Sequence, residues 1–336
     1  MIRRRRRAKS NAGPTLRDVA RAAGVSTASV SRALSRPALV SQQLLDRVHA
    51  ASGTLGYVPN AAAQVLSGRP SRLVGAVVST LDDPLTVLGL EALTRELALR
   101  GVALILAFAG DGAEGSAESV RELVGRGVDA IAFCGDAAPI EPLDLLPPHG
   151  LPCASLDGAG CNARWARSGY EHATAVALAA RYLQQLGHRQ IAFCRIGGDQ
   201  RINAVRSAIA GVGIDMVLVG DGEAGSGVCD AFDRWLALPS PPTAVICGSD
   251  AVAIAILQEC ARRAIAVPAQ LSVVGFGDTE LSRQAHPALS TLRVPAREAG
   301  RALARNLFAA LDGRPETPIE LHAKLVARES TGVRQA

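Results

Sequence analysis

Residues Thr15 to Ser67 constrain this chain more than any other stretch. They begin T-L-R-D-V-A-R-A-A-G-V-S-T-A-S-V-S-R-A-L, with Leu16, Val19, Ala20 and Ala23 at a helical interval and Val30, Ala33 and Leu34 at another. Two short amphipathic helices are therefore expected. Between them stands Gly24-Val25-Ser26. Gly24 can take a positive φ where the first helix stops, Val25 can plug the crevice between the helices, and Ser26 or Thr27 can cap the second. The pattern is that of a helix-turn-helix. Small residues at Thr27, Ala28 and Ser31, with Arg32 beside them, let a backbone lie deep in a major groove and let one guanidinium fork onto a guanine edge.

Charge agrees with that placement. Of the 36 Lys and Arg and 31 Asp and Glu, the stretch through Arg72 holds 13 basic and 2 acidic residues, leaving 23 against 29 for the remainder. A cationic head on a mildly acidic body is the footprint of a nucleic-acid module joined to something else. Arg3 to Arg7 and Lys9 precede any periodic segment and are expected to form a disordered basic arm that touches phosphates without reading sequence, or a solvated tail.

From Ser71 the pattern changes to short apolar runs alternating with helical stretches. Strands are expected at Leu73 to Val78, Ala103 to Ala107, Ala130 to Cys134, Pro152 to Leu156, Ile191 to Cys194, Val217 to Val219, Ala244 to Cys247 and Ser272 to Gly275. Helices are expected at Leu88 to Arg100, Ser116 to Gly125, Ala173 to Gln185, Asn203 to Ile209 and Ala251 to Arg263. Such alternation implies parallel sheets covered on both faces, here in two similar lobes. Ligands in such sheets sit beyond the carboxyl ends of the strands, which nominates Asp82, Asp136, Arg195, Asp250 and Asp278. Asp250, just before Ala251, could equally serve only as a helix cap.

Thr15 to Ser67 resembles the DNA-binding headpiece of the lactose-repressor (LacI) family, through D-V-A-R-A-A-G-V-S-T-A-S-V-S-R, the L-G-Y-V-P-N junction and A-A-A-Q-V-L-S. The likeness continues in L-Q-Q-L-G-H-R-Q-I-A-F, P-T-A-V-I-C-G-S-D and V-P-A-Q-L-S-V-V-G-F-G-D. It implies an α plus α/β chain: a helix-turn-helix headpiece followed by a two-lobed core with parallel sheets, similar to periplasmic sugar-binding proteins. The expected division is a basic arm at 1–14, the helix-turn-helix at 15–58, a hinge helix or linker at 59–70 and an effector and dimerisation domain at 71–336. Within it, lobe one is expected at about 71–165 and 290–317, lobe two at about 166–289 and 318–336.

Carried over residue by residue, the resemblance places Thr27, Ala28 and Arg32 where the family reads bases, and Ser26, Ser31, Tyr57 and Asn60 where it touches phosphates. Leu66 falls where members wedge an apolar side chain into the minor groove. Thr15, at the start of the first helix, completes the DNA-binding set. For the effector the resemblance adds Leu85, Thr86, Arg201 and Arg206. Arg206 falls on the arginine with which relatives hold an anionic or hydroxylated ligand. There are departures as well. Gln64 stands where many members have arginine, Leu85 or Thr86 where they have an aromatic ring, Tyr170-Glu171 where they have Asp-Asn, and Gly277 at a frequent aspartate. Phe, Trp and Tyr make up only 3% of the chain, so stacking on a ligand ring is poorly supplied.

The function implied is a cytoplasmic, ligand-responsive regulator, most similar to gluconate-type members. It would grip a pseudo-palindromic operator as a homodimer or higher oligomer under control of a sugar, sugar acid or sugar phosphate, with no metal or other cofactor. A sugar-binding protein of transport type would use the same two lobes but has no need of the cationic head. An enzyme is not expected: there is no G-x-x-x-x-G-K-[ST] loop, and G-D-G-A-E-G at Gly110 to Gly115 has the wrong glycine offsets for a dinucleotide fingerprint. The seven cysteines form no C-x-x-C pair, and several lie in apolar strands, as buried reduced thiols do.

Overall fold

The computed structural model describes residues 13–58, 70–110, 112–135, 150–156, 166–195, 202–213, 215–221, 228–314 and 317–334. The chain divides into two compact units, Met1–Ser71 and Arg72–Ala336. In the first, α1 (Leu16–Ala23), α2 (Thr27–Ser35) and α3 (Gln42–Leu55) follow one another, with a 3-10 turn at Pro37–Leu39. Val19, Val30 and Val48, one from each helix, are completely buried among Ala20, Ala23, Ala33 and Ala51. Short side chains at the centre let three short helices approach closely. Leu16, Val25, Leu34, Leu44, Leu45 and Tyr57 close the rim. Residues 1–12 of the expected basic arm and 59–69 of the expected hinge, Asn60 and Leu66 among them, lie outside the described residues.

The second unit holds two six-stranded sheets. The first runs β11 (Ile319–Leu321), β5 (Ala166–Tyr170), β4 (Cys153–Leu156), β3 (Ala130–Cys134), β1 (Leu73–Val78), β2 (Ala103–Phe108), with every pairing parallel. The second runs β12 (Lys324–Val326), β10 (Ser290–Arg293), β9 (Ser272–Phe276), β8 (Ala244–Cys247), β6 (Gln190–Arg195), β7 (Asp215–Asp221), parallel except where β12 meets β10. The central strands A-I-A-F-C, A-V-I-C and S-V-V-G-F are buried along their whole length, as strands covered on both faces must be.

Helices supply that cover. On the first sheet α4 (Pro84–Leu99) and α11 (Ala296–Leu311) bury Leu90, Leu93, Leu97, Leu303 and Leu307 against one face. α5 (Gly112–Gly125) seats Val120 and Leu123 on the other. On the second sheet α6 (His172–Gln185) and α7 (Ile202–Ala210) contribute Val176, Leu183, Val205 and Ile209 to one face. α8 (Val228–Leu236) and α9 (Asp250–Arg262) contribute Phe232, Trp235, Ile256 and Leu257 to the other. A short α10 (Glu280–Gln284) follows β9. Cys134, Cys153, Cys194, Cys247 and Cys260 are buried thiols that enter no disulfide; burial pushes those of Cys194 and Cys260 up to about 11.

The sheets correct the expected lobe boundaries. β5, placed in lobe two from sequence, pairs into the first sheet beside β4, and β10, placed in lobe one, pairs into the second beside β9. β11 returns to the first sheet before β12 joins the second. Among the described strands the chain thus crosses between sheets three times, after β5, after β10 and between β11 and β12. α4 also begins earlier than its apolar spacing suggests, because Asp83 caps it and Pro84 occupies its first turn.

Candidate DNA-reading surface and candidate effector site

In the headpiece, Thr15 closes the start of α1: its N–H and hydroxyl both donate to Asp18 Oδ2, at 3.0 and 2.6 Å. The Thr15 hydroxyl bond, foremost, holds the Asp18 carboxyl below its ordinary range. Gly24 ends α1 at φ 63°, and its N–H returns to the carbonyls of Ala20 and Arg21. Ser26, two residues on, accepts from the Ser29 N–H at 3.0 Å and so caps α2, the role expected of Ser26 or Thr27. Val25 tucks against the core.

The consequence is a rigidly begun α2 whose outer face is open. Thr27, Ala28, Ser31 and Arg32 are all exposed, while Val30 and Ala33 on the opposite face are buried. Ser26 is exposed as well, and Tyr57 is half-buried against the headpiece core.

In the second unit the nominated residues fall into three groups. Leu85, Asp250 and Asp278 come together at the carboxyl ends of β8 and β9. Asp250 Oδ1 accepts from Thr291 Oγ1 at 2.5 Å, and Asp250 Oδ2 accepts from the N–H and hydroxyl of Thr279 at 2.7 and 2.9 Å. The N–H of Asp278 donates to Thr291 Oγ1 at 3.2 Å, so Thr291 joins the two acids. Leu85 Cδ2 lies across from Gly277, 3.7 Å from where a Cβ would stand. Asp250 is not the helix cap that its sequence position suggested: Ser249 caps α9, accepting from the Val252 N–H at 3.2 Å. Its carboxylate instead ties β8 to the loop after β9 and to β10.

Asp278 is likewise turned inward. Its carboxylate meets Arg328, Arg293 (Nε at 2.5 Å) and Arg283 (Nη2 at 3.5 Å). Burial by itself would raise its pKa; the hydrogen bonds from Arg328 and Arg293 outweigh this and hold the carboxyl below its ordinary value. Thr86, expected at the ligand, is buried with its hydroxyl donating to Asp83 Oδ2 at 2.8 Å.

Asp82 and Arg206 form the second group, both exposed, the latter on α7 beside buried Val205 and Ile209. The third lies outside what is described: Asp136, Arg201 and the side chain of Arg195.

Sequence reasoning missed the rings. His172 stacks on Phe276 with centroids 4.4 Å apart, and Tyr170 leans on the same ring at 5.9 Å. All three are buried, and Tyr170 and Phe276 share with Leu85 the apolar cluster that spans the two sheets. A chain poor in aromatic residues has gathered rings at the strand ends. The signal available was position: Tyr170 and Phe276 each end a strand, and His172 opens a helix.

Residues 15–60 match the family described as bacterial regulatory proteins, lacI family, and residues 180–331 match the periplasmic binding protein-like domain. The transcriptional repressor PurR of Vibrio cholerae is 29% identical over 329 residues, covering 94% of this chain and 97% of that protein. The regulator GntR of Pseudomonas aeruginosa is 29% identical over 333 residues, covering 95% and 96%. The solved Lac repressor dimer bound to operator and an anti-inducer shares the fold, with a TM-score of 0.81 at 24% identity over 96% of this chain and all of the other. With a helix-turn-helix that exposes its second helix and two lobes built on largely parallel sheets, the chain carries a lacI-family DNA-binding domain and a periplasmic binding protein-like domain, and over most of its length it is similar to DNA-binding transcriptional regulators.

Proposed function

We propose that α2 lies in the major groove with Thr27, Ala28, Ser31 and Arg32 toward the base edges and Ser26 toward the backbone. The observation that carries this reading is the opposition on one short helix between an exposed polar face and a buried Val30–Ala33 face. Two copies of the chain grip a pseudo-palindromic operator, Tyr57 adding a contact from the end of the headpiece and Asn60 and Leu66 extending it beyond. The protein works in the cytoplasm, where its DNA is, and performs no catalysis.

The effector site is placed where Leu85, Tyr170, His172 and Phe276 meet, with Arg206 and Asp82 as the charged groups able to reach a ligand. A sugar or sugar acid suits this set: one apolar flank for ring or chain carbons, and a guanidinium for hydroxyls or a carboxylate. The ligand must favour one of two lobe arrangements, since equal affinity for both shifts nothing.

The test has two arms. Selection from a random duplex pool should enrich a two-fold symmetric sequence; a pool that stays random removes the DNA reading. A thermal-shift panel of sugars, sugar acids and sugar phosphates should give one class of hit, worth about 2.7 kcal/mol at a hundred times its dissociation constant. Nucleosides and purines are screened beside them, and hits among these alone would replace the sugar class.

A further inference from the structure

We propose that Arg47, on α3, is a positioning residue for DNA recognition: it clamps the corner from which α2 springs and touches no DNA itself. The inference rests on α2 being the reading helix, as assigned above.

A helix leaves its last carbonyls without partners inside the helix. At the end of α1 the N–H groups of Gly24 and Val25 take those of Ala20 and Arg21. Two further carbonyls, on Ala23 and Gly24, are met from outside α1: Arg47 Nη2 donates to the Ala23 oxygen and, at 3.3 Å, to the Gly24 oxygen. One cationic nitrogen therefore holds two consecutive peptide groups, at the helix end where positive charge is favoured.

The clamp matters because α2 begins immediately after those peptides. Only Val25 separates Gly24 from Ser26, whose side chain caps α2 and whose carbonyl accepts the first bond of that helix, from the Val30 N–H at 3.0 Å. The planes that Arg47 fixes set where α2 starts, and Thr27 and Ala28 are its first two residues. Space at the corner is already taken: a Cβ on Gly24 would lie 3.2 Å from Arg47 Nη2. Apolar contacts hold the three helices together but are non-directional, whereas a bond to two carbonyls fixes orientation. Arg47 thus acts on the aim of Arg32 rather than on the attraction to phosphate.

That distinction can be measured on the full chain. The probes are a symmetric duplex selected by the wild type from a random pool, and a random duplex of equal length. Affinities for both are read by anisotropy across a salt series. Arg47→Met should lower the selected-over-random affinity ratio about tenfold, the scale of one lost charged hydrogen bond, while binding to the random duplex and its salt slope stay as in wild type. Arg47→Lys, which keeps a cationic donor, should restore most of the ratio. An equal loss on both duplexes with a slope smaller by about one per contact would make Arg47 a phosphate ligand and overturn the proposal, as would an unchanged ratio.

Far-UV circular dichroism of each variant reports whether the headpiece stays helical. If Arg47→Met melts it, Arg47→Gln, with an amide donor and no charge, carries the test: a ratio below wild type with random-duplex binding unchanged supports the clamp, and an unchanged ratio or equal losses on both duplexes exclude it. Arg32→Ala is the control for the underlying assignment. If that variant retains full preference, α2 is not the reading helix and the role of Arg47 falls with it; if it loses preference while Arg47→Met does not, only the clamp is wrong.

Discussion

Thr291 donates its hydroxyl to Asp250 Oδ1 across 2.5 Å, joining β10 to the first turn of α9 inside the second lobe. Three donors converge on that one buried carboxylate. Asp250→Ala would leave the N–H and hydroxyl of Thr279 and the hydroxyl of Thr291 without their acceptor, a loss of about 3 kcal/mol. Urea unfolding measures it. Asp250→Asn, which keeps the shape and one acceptor, should lose less; equal losses would show that packing rather than the carboxylate matters.

Gly300 on α11 lies so close to Gly89 on α4 that a Cβ would stand 2.1 Å from the Gly89 carbonyl oxygen. Backbone, unlike a flexible side chain, cannot step aside. Gly300→Ala should therefore force the helices apart and destabilise the protein by about 1 to 3 kcal/mol, the usual range for overpacking. A melting temperature equal to wild type would mean that the two helices slide without resistance.

Glu259 on α9 accepts from Arg262 at 2.5 and 2.8 Å and from Arg263 Nε at 2.5 Å, and Arg263 goes on to Asp233 on α8 at 2.5 Å. The Arg262 bonds foremost, then those of Arg263, hold its pKa at about 2 against an ordinary 4.5. Since the folded value is the lower one, the stabilisation is present above about 4.5 and is lost as pH falls toward about 2. The gap in melting temperature between wild type and Glu259→Gln should close over that interval. A gap that persists to the acid end would assign the effect to shape.

Arg32→Ala should weaken binding to the selected operator by roughly 1 to 3 kcal/mol and leave effector affinity as it is. Competition binding with single-base operator variants gives the finer reading, because preference at one base position should relax.

Arg206→Ala should abolish the response to whichever sugar or sugar acid raises the melting temperature, with operator affinity in its absence unchanged. A response retained at wild-type ligand concentrations would remove Arg206 from the site.

The helix-turn-helix at 16–35 was legible in detail because local chemistry decides it, whereas α3 and the 3-10 turn before it were not placed from sequence. A glycine with positive φ, a serine cap and a 3.6-residue stripe need no distant partner to be understood. The strands of the core were legible as apolar runs, since both faces are covered. What escaped was decided by distant partners. β5 reads A-R-S-G-Y and looks like a loop, but becomes a strand between β4 and β11; β11 and β12 have three residues each. Asp250 was found by the rule that ligands gather at strand ends, yet its position could not reveal that Thr279 and Thr291 already claim its oxygens. The ring cluster was hidden for a similar reason. Composition counts rings but does not say where they meet, and Tyr170, His172 and Phe276 meet only after the chain has crossed from one sheet to the other.

Those crossings govern how the core can move. Three straps run between the lobes, so sliding or spinning one lobe on the other would stretch at least one of them, and bending about the line of straps remains the inexpensive motion. A ligand seated beside that line, where the effector site is proposed, would work on a short lever. Small closure at the rings would then become a wider sweep at the far edges of the lobes, and a molecule of a few carbons would be felt at a distance several times its own length.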